Sequence, residues 1–90
     1  MTRIRLVVHG TVQGVGFRYA AREAASQCGV LGWVRNRADG SVEIVVQGSA
    51  ASVARMTAWA ESGPAYADVL RVDVAREDAA PDLEGFEIRR

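Results

Sequence analysis

His9 to Arg18, reading HGTVQGVGFR, joins two different hydrophobic periods, and the join decides the fold. Before it, Ile4, Leu6 and Val8 alternate with Arg5, Val7 and His9, the period of two that predicts a half-buried strand over about Arg3 to Val12. After it, Phe17, Ala20, Ala21, Ala24, Ala25 and Cys28 recur at spacings of three and four, one face of a helix predicted over Phe17 to Gln27. Gly10 marks a close backbone approach, Gln13 to Phe17 reads as a turn feeding the helix start, and Gly29 fits the helix C-terminus.

A helix start leaves its first amide N–H groups without intrahelical acceptors and carries the positive end of the peptide dipole. Gly14 and Gly16 free the backbone for φ values closed to other residues and remove side chains that would block an incoming group. Arg18 adds a planar guanidinium able to grip two oxygens of a phosphate. The same residues also fit a flexible connection followed by a solvated arginine, and taken alone they leave both readings open. The usual nucleotide loops are excluded. The chain has no lysine for G-x-x-x-x-G-K-[ST], and no glycine follows Gly16 at the offset of G-x-G-x-x-G.

Outward from this join, strand two is predicted over about Val30 to Arg35, ending at Asn36, with turn residues Arg37-Ala38-Asp39-Gly40 and a hairpin partner over Val42 to Gln47. Ser49 or Ser52 caps a second helix carrying Val53, Met56 and Ala60 on one face, and Gly63-Pro64 stops it. A strand over Asp68 to Val74, with Leu70, Val72 and Val74 in alternation, precedes a loop over Arg76 to Asp82 and a short terminal strand with Phe86 and Ile88.

This order predicts one domain over 1–90 with a ferredoxin-like βαββαβ fold. It is an α+β sandwich with a mainly antiparallel sheet, two helices on one face and an added short C-terminal strand. Strands one and two then run in the same direction and end at one edge, which puts Asn36 roughly 10 Å across the sheet from the loop if one strand lies between them.

Ninety residues lie near the lower limit for a domain folding without staples. Eleven arginines balance eleven carboxylates, so no global field recruits nucleic acid or an anionic membrane, and any anion site is local. One cysteine, no apolar leader and no apolar run of bilayer length predict a reducing, cytoplasmic setting, with neither secretion nor membrane spanning. A monomer is expected.

HGTVQGVGFR resembles the phosphate-binding loop of acylphosphatases, and Gly32 to Asn36, GWVRN, resembles that family's second motif. The resemblance extends over essentially the whole chain, including the Gly63-Pro64 turn and the terminal Phe86-Glu87-Ile88. It implies that Arg18 and the loop Gly14, Val15, Gly16 and Phe17 bind the substrate phosphate, that Asn36 positions the attacking water, and that the reaction is hydrolysis of an acyl phosphate. An acylphosphatase-like domain also occurs inside large hydrogenase-maturation proteins; a chain of one domain fits a standalone enzyme better.

The residues agree with metal-free, non-covalent chemistry. No carboxylate lies between His9 and Arg22 or within Gly32 to Arg37, so neither a hard cation nor any other cofactor is expected, and no serine or cysteine stands beside the loop as a nucleophile. An acyl phosphate leaves as a carboxylate, a weak base that needs no general acid. His9 is expected in a structural or solvated role, Cys28 as a small apolar residue, Trp33 and Trp59 as core anchors, and Arg35 and Arg37 as exposed strand-end charges. Tyr19 either lines the site or covers the helix. The competing functions are a noncatalytic anion-binding or regulatory module, and an RNA-binding sheet, which would need paired aromatics on central strands.

Overall fold

The computed structural model describes residues 1–90. In chain order the elements are β1 (Thr2–Thr11), α1 (Phe17–Cys28), β2 (Leu31–Asn36), β3 (Val42–Gly48), α2 (Ala50–Ser62), β4 (Asp68–Glu77) and β5 (Phe86–Arg89). The strands form one sheet in the order β4-β1-β3-β2-β5. All pairings are antiparallel except β2 with β5, whose parallel partnership the sequence had left undetermined. This is the ferredoxin-like βαββαβ arrangement with its extra terminal strand.

Alternation sends Ile4, Leu6 and Val8 of β1, Val34 of β2, and Val42, Ile44 and Val46 of β3 to one face. There they pack against Phe17, Ala21, Ala24 and Ala25 of α1 and Val53, Met56 and Ala60 of α2. At roughly 25 cal/mol per Å², this shared apolar burial is the main force holding the helices to the sheet. The N-cap of α2 is Ser49, whose side chain accepts from the Ser52 amide at 3.1 Å.

The central strand β3 is buried on both faces. On its open face Val45 is buried between two polar residues, and both of these are satisfied: the Glu43 carboxylate accepts from Arg5 and from Arg35 (2.6 Å), and Gln47 exchanges two hydrogen bonds with the backbone of Ala80. Burial alone would push the Glu43 carboxyl up, but the two guanidinium bonds outweigh it and hold the group below its ordinary value.

Four expectations need correction. Trp33 is not in the core; it lies on the open face with the guanidinium groups of Arg35 and Arg89 at 5.5 and 4.8 Å from its ring, and only Trp59 joins the core, tilted against Phe17 at 5.2 Å. β4 runs to Glu77, so Arg76 belongs to the strand and not to the loop, because pairing with β1 continues to Arg3 despite the polar side chains.

The alternation of Leu70, Val72 and Val74 is broken by a bulge: His9 faces Arg71 while Gly10 faces Val69, leaving Leu70 unpaired and 77% exposed. Gly10 accommodates it, since a Cβ there would lie 2.1 Å from the Asp68 carbonyl oxygen. Strand two also starts one residue later than its pattern suggested, at Leu31, with Val30 buried beside it.

Candidate active site

Between Thr11 and Phe17 the backbone turns with alternating sign of φ. Gly14 (+74°) and Gly16 (+77°) occupy the left-handed region, and Val15 between them has negative φ. Such alternation aims successive amide hydrogens toward one concavity, a nest for an anion. A Cβ on Gly14 or Gly16 would meet nothing within 4 Å, so conformation and not space demands glycine at both.

Gly16 is also the N-cap of α1, and it brings no capping side chain. Its carbonyl accepts from Ala20 at 3.1 Å, which leaves the amides ahead of Ala20 without intrahelical acceptors. None of the amides from Gln13 to Tyr19 donates to another protein group.

Side chains set the orientation of this row of donors. Phe17, 2% exposed, plugs the first turn of α1 into the core against Trp59, and Val15 packs on the same core. Of the predicted phosphate-binding residues, Gly14, Val15, Gly16 and Phe17 therefore contribute backbone, and Arg18 alone contributes a functional group. Four arginines are half-buried: Arg3, Arg5, Arg18 and Arg37. Arg3 pairs with Glu77 and Asp82, and Arg5 with Glu43, whereas Arg18 and Arg37 make no side-chain hydrogen bond or ion pair. An unneutralised cation on the first turn of a helix, next to unbonded amides, is electrostatically suited to an anion.

Asn36 is the last residue of β2. It faces Val42, which faces Val8, so the three form one row across the sheet two strand spacings wide, about 10 Å. The parity that buries Val34 and Val8 puts Asn36 on the same, helix-covered face, at the end where β1 runs into the glycine loop. The row thus brings the Asn36 end of β2 and the loop end of β1 to one edge of the sheet.

A residue whose role the sequence did not reveal ties the two together. Gln13 donates from Nε2 to the carbonyls of Arg37 (2.7 Å) and Ser41 (2.9 Å), both in the turn after Asn36. That turn is itself braced: Asp39 accepts from the amide (3.0 Å) and hydroxyl (2.5 Å) of Ser41, bonds that hold its carboxyl below the usual range. A glutamine outside any hydrophobic period carries no signal in sequence, and only the strand pairing shows what it reaches.

The remaining candidates fall outside this cluster. His9 Nε2 lies 2.9 Å from Asp73 on the open face and acts structurally; this bond holds the Asp73 carboxyl low. Tyr19 is exposed and stacks with the Arg22 guanidinium 5.5 Å from its ring. Arg35 is engaged by Glu43 and Trp33. Cys28 is partly buried against the core. No helix is long and apolar enough to cross a membrane.

Comparison with known proteins bears on the family and the fold. The acylphosphatase family model matches residues 4–88. An acylphosphatase of Thiobacillus denitrificans is 49% identical over 89 residues, spanning 99% of this chain and 98% of the relative. The crystal structure of acylphosphatase from Bacillus subtilis superposes with a TM-score of 0.95 at 32% identity, covering all of both chains. The solved structure of an acylphosphatase from Coxiella burnetii gives a TM-score of 0.91 at 36% identity over 98% of this chain and 92% of the other. With a matching family model over nearly its full length and relatives of the same size and fold, the chain belongs to the acylphosphatase family.

Proposed function

We propose that this acylphosphatase hydrolyses small acyl phosphates by direct attack of water on phosphorus, without a metal or a covalent enzyme intermediate. The amides of Gly14 to Arg18 and the Arg18 guanidinium hold the phosphoryl oxygens, where charge is stabilised throughout the transfer. Asn36 accepts a hydrogen bond from the attacking water through Oδ1 and donates from Nδ2 to a phosphoryl oxygen. The new P–O bond forms as the bond to the acyl oxygen breaks. That oxygen leaves as carboxylate with the electron pair, and the proton of water passes to phosphate or solvent. A carboxylate leaving group needs no general acid, and neither motif supplies one.

The observation that carries the reading is the nest itself: unbonded amides from Gln13 to Tyr19 adjoining an arginine without a carboxylate partner. The half-buried single cysteine supports a reducing, cytoplasmic setting, and the balanced charge supports a protein with neither nucleic acid nor membrane as a partner. The decisive experiment is benzoyl phosphate hydrolysis in ¹⁸O-water with excess chelator. Label in the phosphate, at a rate the chelator does not change, is expected. Label in the benzoate would place attack at carbon, and loss of turnover with chelator would bring in a metal; either overturns the mechanism.

A further inference from the structure

We propose that Gln13 is a positioning residue for this reaction: its side-chain amide clamps the phosphate loop to the turn after Asn36 and so sets the distance between bound phosphoryl group and oriented water. The inference rests on the proposed role of Asn36. Gln13 immediately precedes Gly14, and Arg37 immediately follows Asn36. One carboxamide therefore ties the loop to the hairpin turn through a 2.7 Å bond to the Arg37 carbonyl, one residue from Asn36, and a 2.9 Å bond to the Ser41 carbonyl at the other end of the turn.

The chemistry of the clamp is specific. Both acceptors are carbonyls, so only an NH₂ with two donors can satisfy them together. Each carbonyl also holds one backbone donor: Ser41 O accepts from the Arg37 amide at 2.8 Å, and Arg37 O from the Gly40 amide at 3.2 Å. Gln13 therefore takes the second acceptor site of each. The hairpin keeps its own bonds without Gln13, and what Gln13 adds is the tie to the loop. The loop keeps its shape through its two glycines and the buried Phe17, so its affinity for phosphate does not depend on the clamp, whereas its placement relative to Asn36 does.

Three variants test this: Gln13→Met, which keeps length and loses both donors; Gln13→Asn, which keeps the carboxamide one methylene short; and Asn36→Ala, alone and combined with Gln13→Met. The readouts are kcat and KM for benzoyl phosphate, the inhibition constant of inorganic phosphate, and the thermal midpoint. Gln13→Met is expected to lower kcat about 10- to 100-fold, the scale of a displacement of about 1 Å at a reacting centre, while the phosphate inhibition constant moves less than about threefold.

In the Asn36→Ala background the further loss is expected to shrink to less than about twofold, because there is no oriented water left to misplace. Unchanged kcat in folded Gln13→Met and Gln13→Asn overturns the clamp and leaves the role of Asn36 standing. An equal loss in both backgrounds also overturns it, by showing that Gln13 acts elsewhere. Full turnover in Asn36→Ala would instead sink the reading on which the clamp rests.

Discussion

Replacing Arg18 with alanine should raise the stability of the free protein while destroying its activity. Arg18 is the second residue of α1, the helix has no acidic residue in its first turn, and the guanidinium has no partner. A cation there opposes the positive end of the helix dipole, an unfavourable contact of about 0.3–1 kcal/mol. Removing it from a chain of 90 residues should raise Tm by about 2–6 °C. The same change removes a two-pronged charged donor. One preorganised donor alone is worth about 3–4 kcal/mol in a transition state, so kcat/KM should fall by about 10³ or more. Differential scanning calorimetry with and without phosphate separates the terms. Phosphate at about a hundred times its dissociation constant should stabilise the wild type by about 2.7 kcal/mol and leave Arg18→Ala almost unmoved at that concentration. A variant destabilised by more than about 1 kcal/mol would show that the guanidinium holds the fold together. Retained turnover would remove it from the site altogether.

Gly16→Ala forces an L-residue to φ +77° in open space, so the cost is backbone strain alone, about 1 kcal/mol by urea titration, with a loss of phosphate affinity as the amide row turns. Gly32→Ala offers the contrast: its Cβ would fall 1.7 Å from the Val45 carbonyl oxygen, and a loss above about 4 kcal/mol or failure to fold is expected. Glu43→Gln should destabilise by about 1–2 kcal/mol at pH 7, since both guanidinium partners are partly exposed and screened. The folded carboxyl is held low, so its contribution is complete above the ordinary glutamate value of about 4.3 and vanishes as pH falls through the folded value. The stability gap between Glu43→Gln and wild type should therefore close on acidification, and a gap that is flat with pH would contradict the ion-pair account.

The parts of the molecule that were legible in sequence are those set by short-range periodicity. Ile4, Leu6 and Val8 and the alanines of α1 announce their faces because each needs only its own element to be read. The glycine loop and Arg18 were visible for a similar reason, as neighbours in sequence. The misreadings all involve partners far along the chain. Tryptophan usually belongs to a core, but the parity of Trp33 in β2 places it on the open face, where Arg89 arrives from β5. Leu70 reads in alternation because the bulge leaves no mark on β4 itself, only the glycine opposite it on β1. Arg76 and Glu77 lack a strand's composition and are held in β4 by β1. At the site, Arg18 and Asn36 carried family motifs, whereas Gln13 gained its place only when the hairpin turn came within hydrogen-bond reach.

The parallel placement of β5 beside β2 decides where attachments to this chain do harm. Arg89 stands opposite Arg35, so the C-terminus emerges one residue from the row of Asn36, while Thr2 starts at the far end, opposite Gly48. An affinity handle, fluorophore or fusion partner joined after Arg90 would crowd the end of the sheet that carries Asn36. The same appendage placed ahead of Met1 would project from the opposite extremity and leave that end free.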